Sequence, residues 1–405
     1  MTARQDALDI AMAGIDAVRT SSVLSRSVHL KGSMLHIAKC AFDLDKFRHI
    51  HVIGFGKASC EASAALEGIL GDRITRGIAL GTEDRTCNMI DLCEATHPLP
   101  SDRNFQLSAR LVKECESVQA DDLVIVVISG GGSAMLCWPA SECEQGIRLY
   151  DASNQAGLSI HELNTVRKHL SSLKGGGLAK LLYPATIVGL VFSDVPGGHD
   201  DLVASGPTYP DTSTVRDARA IIERYNLGTY ELTETPKDAR YFAAVTNIVL
   251  VSNSDALEAM KNKASLLGYR ATILGAAFYD TPEQLVSRMQ SASTPHSAIV
   301  AGGESSFAVP STHGTGGRNQ HVALTAALVC RVGQTFASIA SDGRDNGPES
   351  GAITDAGTLI RAGGRTIEDH LERRDETPLL AHTGDLVSLP STGANVSDLY
   401  LLLTQ

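Results

Sequence analysis

The sequence predicts an α/β protein with two domains. Three observations carry this. Apolar, β-branched runs without polar alternation recur, the clearest being residues 122–129, Asp-Leu-Val-Ile-Val-Val-Ile-Ser. Such runs read as strands buried on both faces, as in a parallel sheet. They alternate with segments of helical periodicity along the whole length, which is the pattern of strand–helix–strand units. Finally, 405 residues exceed what one core usually fills, so two domains are expected. The polar segment 226–240, with Gly228 and Pro236, is the candidate linker, giving domains at 1–235 and 236–405. Each should hold a mostly parallel sheet flanked by helices.

Residues 6–20 place apolar side chains at helical spacing and open the chain as an amphipathic helix. Residues 49–53 form a short strand ending in Gly54-Phe-Gly-Lys57, and 58–70, rich in Ala, Leu and Glu, form the next helix. A second strand at 76–81 closes on Glu83 and Asp84. Two prolines hold the loop 96–103 extended, and a helix follows at 104–115. The run from 122 drives into Gly130-Gly-Gly132, with a helix expected to start at Ser133. A helix at 163–173, a glycine interruption at 174–178 and a buried strand at 186–192 come next. The stretch 193–208 is a long loop with few core-building side chains, and such loops tend to be functional. A helix covers 211–225. The second half repeats the alternation, with strands at 247–251, 269–274, 297–301, 335–340 and 398–403. Helices are read at 254–267, 282–291 and 321–330.

The totals exclude several function classes. A net charge of −11 argues against nucleic acid as a partner. No apolar run reaches membrane-span length. The first residues lack an apolar signal core, so the cytoplasm is the expected compartment. Eight cysteines contain no CxxC pair, and buried thiols are expected rather than zinc.

Several loops carry candidate chemistry. Ser129, Gly130, Gly131, Gly132 and Ser133 read either as a tight βα turn or as an anion site of strand, glycine loop and helix N-terminus. Gly54-Phe-Gly-Lys-Ala-Ser59 sits where a dinucleotide loop would, with Glu83 near the ribose-binding position. Ser59 stands where that fingerprint needs Gly or Ala, and a Walker A glycine is missing because residue 51 is His. Lys57, beside Gly54 and Gly56, can meet a phosphate as a point charge or be a solvated first-turn lysine. Arg318, behind Gly316 and Gly317 and before Asn319, offers a guanidinium where backbone donors could face the same anion. Asn319 could equally be a helix cap. Asn164, Arg167, Lys168 and Lys174 line one helix, as a face for an acidic substrate or as an exposed basic stripe. Asp194, Glu304 and Asp342 follow strands. They are candidate Mg²⁺ ligands or ordinary turn carboxylates.

Long motifs, in order, carry a resemblance. They are GFGKAS (54–59), THPLPSDRN (96–104), ISGGGSAML (128–136), LNTVRKHLSSLKGGGLA (163–179) and FSDVPGGHDDLVASGPTYPD (192–211). AGGESS (301–306), GTGGRNQ (314–320), ASDGRDNGP (340–348) and TGDLVSLPSTGANVSDL (383–399) complete the set. The chain resembles the glycerate 2-kinases whose C-terminal half is called the MOFRL domain. The resemblance implies a Rossmann-like N-terminal domain, a smaller MOFRL-type α/β domain and an active site in the cleft between them. It implies ATP and Mg²⁺ as cofactors, D-glycerate as small-molecule substrate and 2-phospho-D-glycerate as product. The family's catalytic lysine and arginine fall on Lys57 and Arg318. Where the family often has Asp-Gly-x-Asp-Gly, this chain reads Asp342-Gly-Arg-Asp-Asn346, leaving the role of Asp345 open. Some members have carried the label hydroxypyruvate reductase, so an NAD(P)H-dependent reductase is the rival reading. A homodimer is an open expectation.

Overall fold

The structure, a computed structural model, describes residues 2–82, 86–195, 198–307, 313–393 and 395–405, the side chain of Asn154 apart. Glu83 and Asp84, read above as closing the second strand, lie outside the described residues.

Three short strands, β1 (Val28–Lys31), β2 (Met34–Ile37) and β3 (Cys40–Asp43), pair as an antiparallel meander. The main N-terminal sheet follows. It contains β4 (Ile50–Phe55), β5 (Arg76–Gly81), β6 (Ile90–Glu94), β7 (Leu123–Ser129), β8 (Thr186–Phe192) and β9 (Val245–Val251). Its order is β6-β5-β4-β7-β8-β9, and the pairings from β6 through β8 are parallel. β7 is central and wholly buried. With both faces covered by helices it has no wet face, which is why its sequence shows no alternation.

The C-terminal sheet contains β10 (Arg270–Phe278), β11 (Ser297–Gly303), β12 (Gln334–Ala340), β13 (Gly351–Asp355), β14 (Leu386–Val387) and β15 (Asp398–Thr404). Its order is β10-β11-β15-β12-β13-β14. Here the expected strand direction needs correction. Only β10 and β11 pair parallel, while β15 runs antiparallel between β11 and β12, and β13 and β14 add antiparallel partners. The final strand enters the middle of the sheet from the chain's end, and no crossover helix forces it parallel. Tyr400 and Leu402 on β15 pack with Phe336, Val322 and Met289 in the core.

The chain divides into two compact units, and the division differs from the expected boundary at 235/236. One unit is 23–193 with 199–250, and the other is 1–22, 194–198 and 251–405. Residues 226–240 do not link them. Glu231 N donates to Gln145 Oε1 (2.6 Å) and Thr233 N to His169 O (2.8 Å), so this polar stretch lies on the first unit on its way to β9. The first helix, Ala3–Val18, belongs with the C-terminal sheet. It buries Ala7, Ile10, Ala11, Gly14, Ile15 and Val18 at helical spacing. A Cβ at Gly14 would sit 2.6 Å from Met260 Cγ on the helix Asn253–Leu266, so the two helices meet at close range. Arg4 anchors the same end, 2.9 Å from Asp355 and 2.8 Å from Asp385. Burying each isoleucine stabilises this docking by about 1.5–3 kcal/mol.

Among the described residues, no helix is long and apolar enough to cross a membrane. Cys60, Cys93 and Cys115 are buried thiols as expected, but the sulfurs of Cys137 and Cys143 meet at bonding distance, with Cα atoms 5.7 Å apart.

Candidate active site

The N-terminal unit brings two sequence-predicted loops together. Gly54 and Phe55 end β4, and Gly56 turns the chain at φ 110°. A Cβ at Gly56 would lie 2.3 Å from both Ser129 O and Ser129 Oγ. Only glycine allows β4 and β7 to end so close together. Lys57 N donates to Gly130 O (2.8 Å) and Ala58 N to Ser129 Oγ (3.1 Å), which stitches the loops. Ser129 is therefore a buried brace and not a ligand-facing hydroxyl. Gly131, at φ 81°, is partly open, and a Cβ there would meet His97 at 3.0 Å and Lys57 Cγ at 3.3 Å. The lysine stem thus lies over the middle glycine, in the turn before the helix Ser59–Leu70.

The expected helix after the glycine loop is a single turn, Gly132–Met135, and Leu136 already leaves it in extended backbone. A helix this short carries little macrodipole, so its N-terminus adds little to the anion site read from the sequence. Instead the loop is completed by a residue the sequence reading did not single out. Ser205 Oγ donates to Asn164 Oδ1 (2.9 Å) and stands 2.8 Å from Ser133 Oγ. Since Ser205 spends its proton on Asn164, Ser133 donates to Ser205 and keeps its lone pairs for a ligand. Ala204 and Ser205 both have positive φ, 51° and 61°. Two adjacent non-glycine residues in that region mark local strain of the kind found at functional sites. The long loop 193–208 was the signal that could have found Ser205.

The basic helix is not an exposed stripe. It spans Ile160–Leu170 and starts at a Ser159–Glu162 capping box. Lys168 is buried and pairs with Asp211 at 3.3 Å. Lys174 is buried against Glu142 and donates to Leu136 O at 2.6 Å. These two cations are internal ties. Arg167 differs: among the described residues none hydrogen-bonds or ion-pairs with it.

The C-terminal unit assembles the second predicted loop differently. The helix Arg318–Ala327 begins after Gly317, whose Cβ would lie 2.2 Å from Asp345 O and Oδ2. Asp345 is buried and accepts from Asn319 N and Gln320 N, both at 2.9 Å. It is the cap of this helix, which answers the open question about its role, and burial raises its pKa despite those hydrogen bonds. Two amides of the first turn, those of Asn319 and Gln320, are therefore already taken by a carboxylate, where the sequence reading let the turn's donors face an anion. Arg318 is also committed. It pairs with Glu304 and stands 2.7 Å from Asp398. Asn319 is buried in the same network, donating to Asp398 (2.8 Å) and accepting from Ser338 Oγ (2.7 Å). Burial pushes the Asp398 carboxyl up to about 7, with Arg318 and Asn319 opposing. Gly316 packs against Glu376.

Asp194, Glu304 and Asp342 form no three-ligand cluster among the described residues. Asp194 accepts from Asn395 Nδ2 (3.3 Å), and Asp342 accepts from Arg344 N (3.0 Å) in its own turn. Glu304 and Asp194 both lie near Tyr279 and help to raise its pKa behind the main cause, burial. Among the described residues, the group that brings three potential ligands within 4.8 Å is His49, His51 and Asp122, at the start of β4 and β7.

Comparison with known proteins comes to bear at this point. The profile of a domain of unknown function, DUF4147, matches residues 6–238, and that of the MOFRL family matches residues 297–398. The chain is 31% identical to a D-glycerate 2-kinase of Thermotoga maritima over 86% of this chain and 89% of the relative. It is 34% identical to a provisionally named hydroxypyruvate reductase of Agrobacterium vitis, over 87% of this chain and 98% of the relative. The crystal structure of a glycerate kinase from Thermotoga maritima superposes with a TM-score of 0.85 at 28% identity, covering 99% of each chain.

Proposed function

The chain belongs to the glycerate 2-kinase family, and we propose that it transfers the γ-phosphoryl group of ATP to the 2-hydroxyl of D-glycerate, giving 2-phospho-D-glycerate and ADP. It is a phosphotransferase. The observation that best supports the acceptor and donor assignment is the stitched pair of loops, which holds Lys57 over the open Gly131. A transferred phosphoryl group needs charge neutralisation and positioning more than covalent chemistry. Lys57 supplies a compact positive charge at that loop. Arg318 is the second catalytic candidate, and its carboxylate partners hold it firmly charged.

Mg²⁺ usually keeps several waters and takes one or two protein carboxylates together with phosphate oxygens. Asp194 and Glu304, which share the surroundings of Tyr279, fit that modest demand. Asp342 is occupied by its turn and fits less well. When bound, the ion neutralises charge on the nucleotide phosphates. The residues of this chain hold the acceptor, orient it and keep water away.

The test is phosphorus NMR of the product after incubation with ATP, Mg²⁺ and D-glycerate. The expected product is the 2-phosphate. Formation of the 3-phosphate, or no phosphoryl transfer alongside NADH-dependent reduction of hydroxypyruvate, would overturn the reading in favour of another acceptor position or the reductase.

A further inference from the structure

A small cavity opens beside the glycine loop of the N-terminal unit. It measures about 20 Å³, and Pro98, Ser133, Glu142, Tyr150, Arg167 and Lys174 line it. That volume holds about one water. Its charges do not cancel. Glu142 gives one oxygen to Lys174 and the other to Trp138 N (2.8 Å), and among the described residues no hydrogen bond or ion pair joins it to Arg167. Lys174 is satisfied by Glu142 and Leu136 O. Arg167 remains as a guanidinium with no hydrogen-bond or ion-pair partner among the described residues. Burial works against its charge, and only the more distant Tyr150 and Glu142 favour it. Arg167 is half-buried and lines the cavity, and a partly desolvated guanidinium with no direct partner there is well placed to take an anion on its fork of N–H donors.

We propose that Arg167 is the anchor for the substrate carboxylate and thereby selects small 2-hydroxy acids over the corresponding alcohols. This deepens the kinase reading above and rests on it for the identity of the acid. A guanidinium presents two parallel N–H donors that match a carboxylate. Ser133, on the wall of the same cavity, has given its proton to Ser205 and offers lone pairs, so it accepts from the acid's hydroxyl. A carboxylate on Arg167 and a hydroxyl on Ser133 place the acid against Gly131, over which Lys57 lies. The lining carries one net positive charge, which suits a carboxylate monoanion better than a phosphate dianion.

The experiment compares wild type with Arg167→Met and Arg167→Lys by thermal melting and steady-state kinetics. The probes are millimolar D-glycerate, lactate, glycerol and inorganic phosphate. Wild type is expected to melt higher with D-glycerate and with lactate, and not with glycerol or phosphate. Arg167→Met should lose both shifts and melt at or above wild type without ligand, because it removes a cation that makes no hydrogen bond or ion pair among the described residues. Its KM for D-glycerate should rise ~30-fold, as loss of a charge-assisted pair implies, with KM for ATP unchanged. Arg167→Lys keeps the charge, loses the fork and should raise the same KM about 10-fold. A D-glycerate shift retained in Arg167→Met, an unchanged KM in either variant, or a wild-type response to glycerol or phosphate equal to that for D-glycerate, would overturn the anchor. Should wild type bind carboxylates through Arg167 yet phosphorylate none, the kinase reading fails and the anchor stands. Should it phosphorylate D-glycerate with an Arg167-independent KM, the anchor fails and the kinase reading stands.

Discussion

Arg167 and Arg318 carry the same guanidinium, and the sequence marks both as candidates to meet an anion, one on a basic helix face and one behind a glycine loop. Their surroundings are opposite. Arg318 meets Glu304 and Asp398, and the buried Asp345 beside it adds a third carboxylate. Among the described residues Arg167 ion-pairs with no carboxylate, although Glu142, which holds Lys174 and Trp138 N, favours its charge from the wall of the same cavity. The glycine loops differ in the same sense. In the N-terminal unit Gly131 stays partly open under Lys57. In the C-terminal unit the first helical amides are closed by Asp345. The C-terminal loop already contains its own carboxylate, while the N-terminal loop keeps a partly open glycine beside a lysine stem. A basic residue beside glycine is thus only half of an anion site. The other half is whether the protein has supplied the counter-charge itself.

The largest expected effect is on the open loop. Lys57→Ala should lower kcat about 10³-fold if its charge meets the transferred group, by analogy with removing one electrostatic stabiliser of a transition state. The stitch between the loops should survive, since it is made by the Lys57 backbone. Turnover within a few-fold of wild type would erase the distinction drawn for that loop. The closed loop predicts the reverse. Asp345→Ala removes two hydrogen bonds to the start of the helix Arg318–Ala327 and should cost about 1–3 kcal/mol in denaturant unfolding. No loss of stability would mean that the cap is dispensable and the amides are free for a ligand after all.

The smallest effect concerns pH. Asp398 is raised from an ordinary 3.8 to about 7, chiefly by burial. The folded state therefore holds this proton more tightly than the unfolded chain. The resulting stability is full below about pH 4, shrinks as pH rises and is lost through about pH 7. Wild type should lose a few degrees more than Asp398→Asn in melting temperature between pH 5 and 8. Parallel curves would show that the carboxyl titrates normally and that Arg318 alone governs it.

Much of this was legible in the sequence because the signals were local. The β7 run lacks alternation, and that property follows from burial on both faces. The strand–glycine–lysine order of 54–57 also survived intact, since Gly56 is fixed by its approach to Ser129. What failed to show were features set by partners far along the chain. The insertion of β15 between β11 and β12 depends on pairings across more than one connection, so the second sheet read as parallel. The docking of Ala3–Val18 on the C-terminal unit could not be seen from its own amphipathic face. The meander β1–β3 is short and half exposed, and its best clue was the Gly32 turn at φ 63°. The helix Ile160–Leu170 was read three residues late, although Ser159 and Glu162 stood at capping-box spacing. The helix Ala140–Ala156, which brings Glu142 and Tyr150 to Arg167, was not read at all. Without it, nothing separated Arg167 from Lys168 and Lys174, which found carboxylates in Asp211 and Glu142.

The contrast between the two arginines is tested most directly by melting Arg167→Met and Arg318→Met side by side without ligand. Arg318→Met should melt clearly below wild type, because it strands the buried Asp398 and costs about 2–4 kcal/mol, reduced by the arginine's partial exposure. Arg167→Met should melt at or above wild type. A drop in Arg167→Met as large as that in Arg318→Met would contradict the account, since it would mean that Arg167 is already held by the fold and waits for no anion.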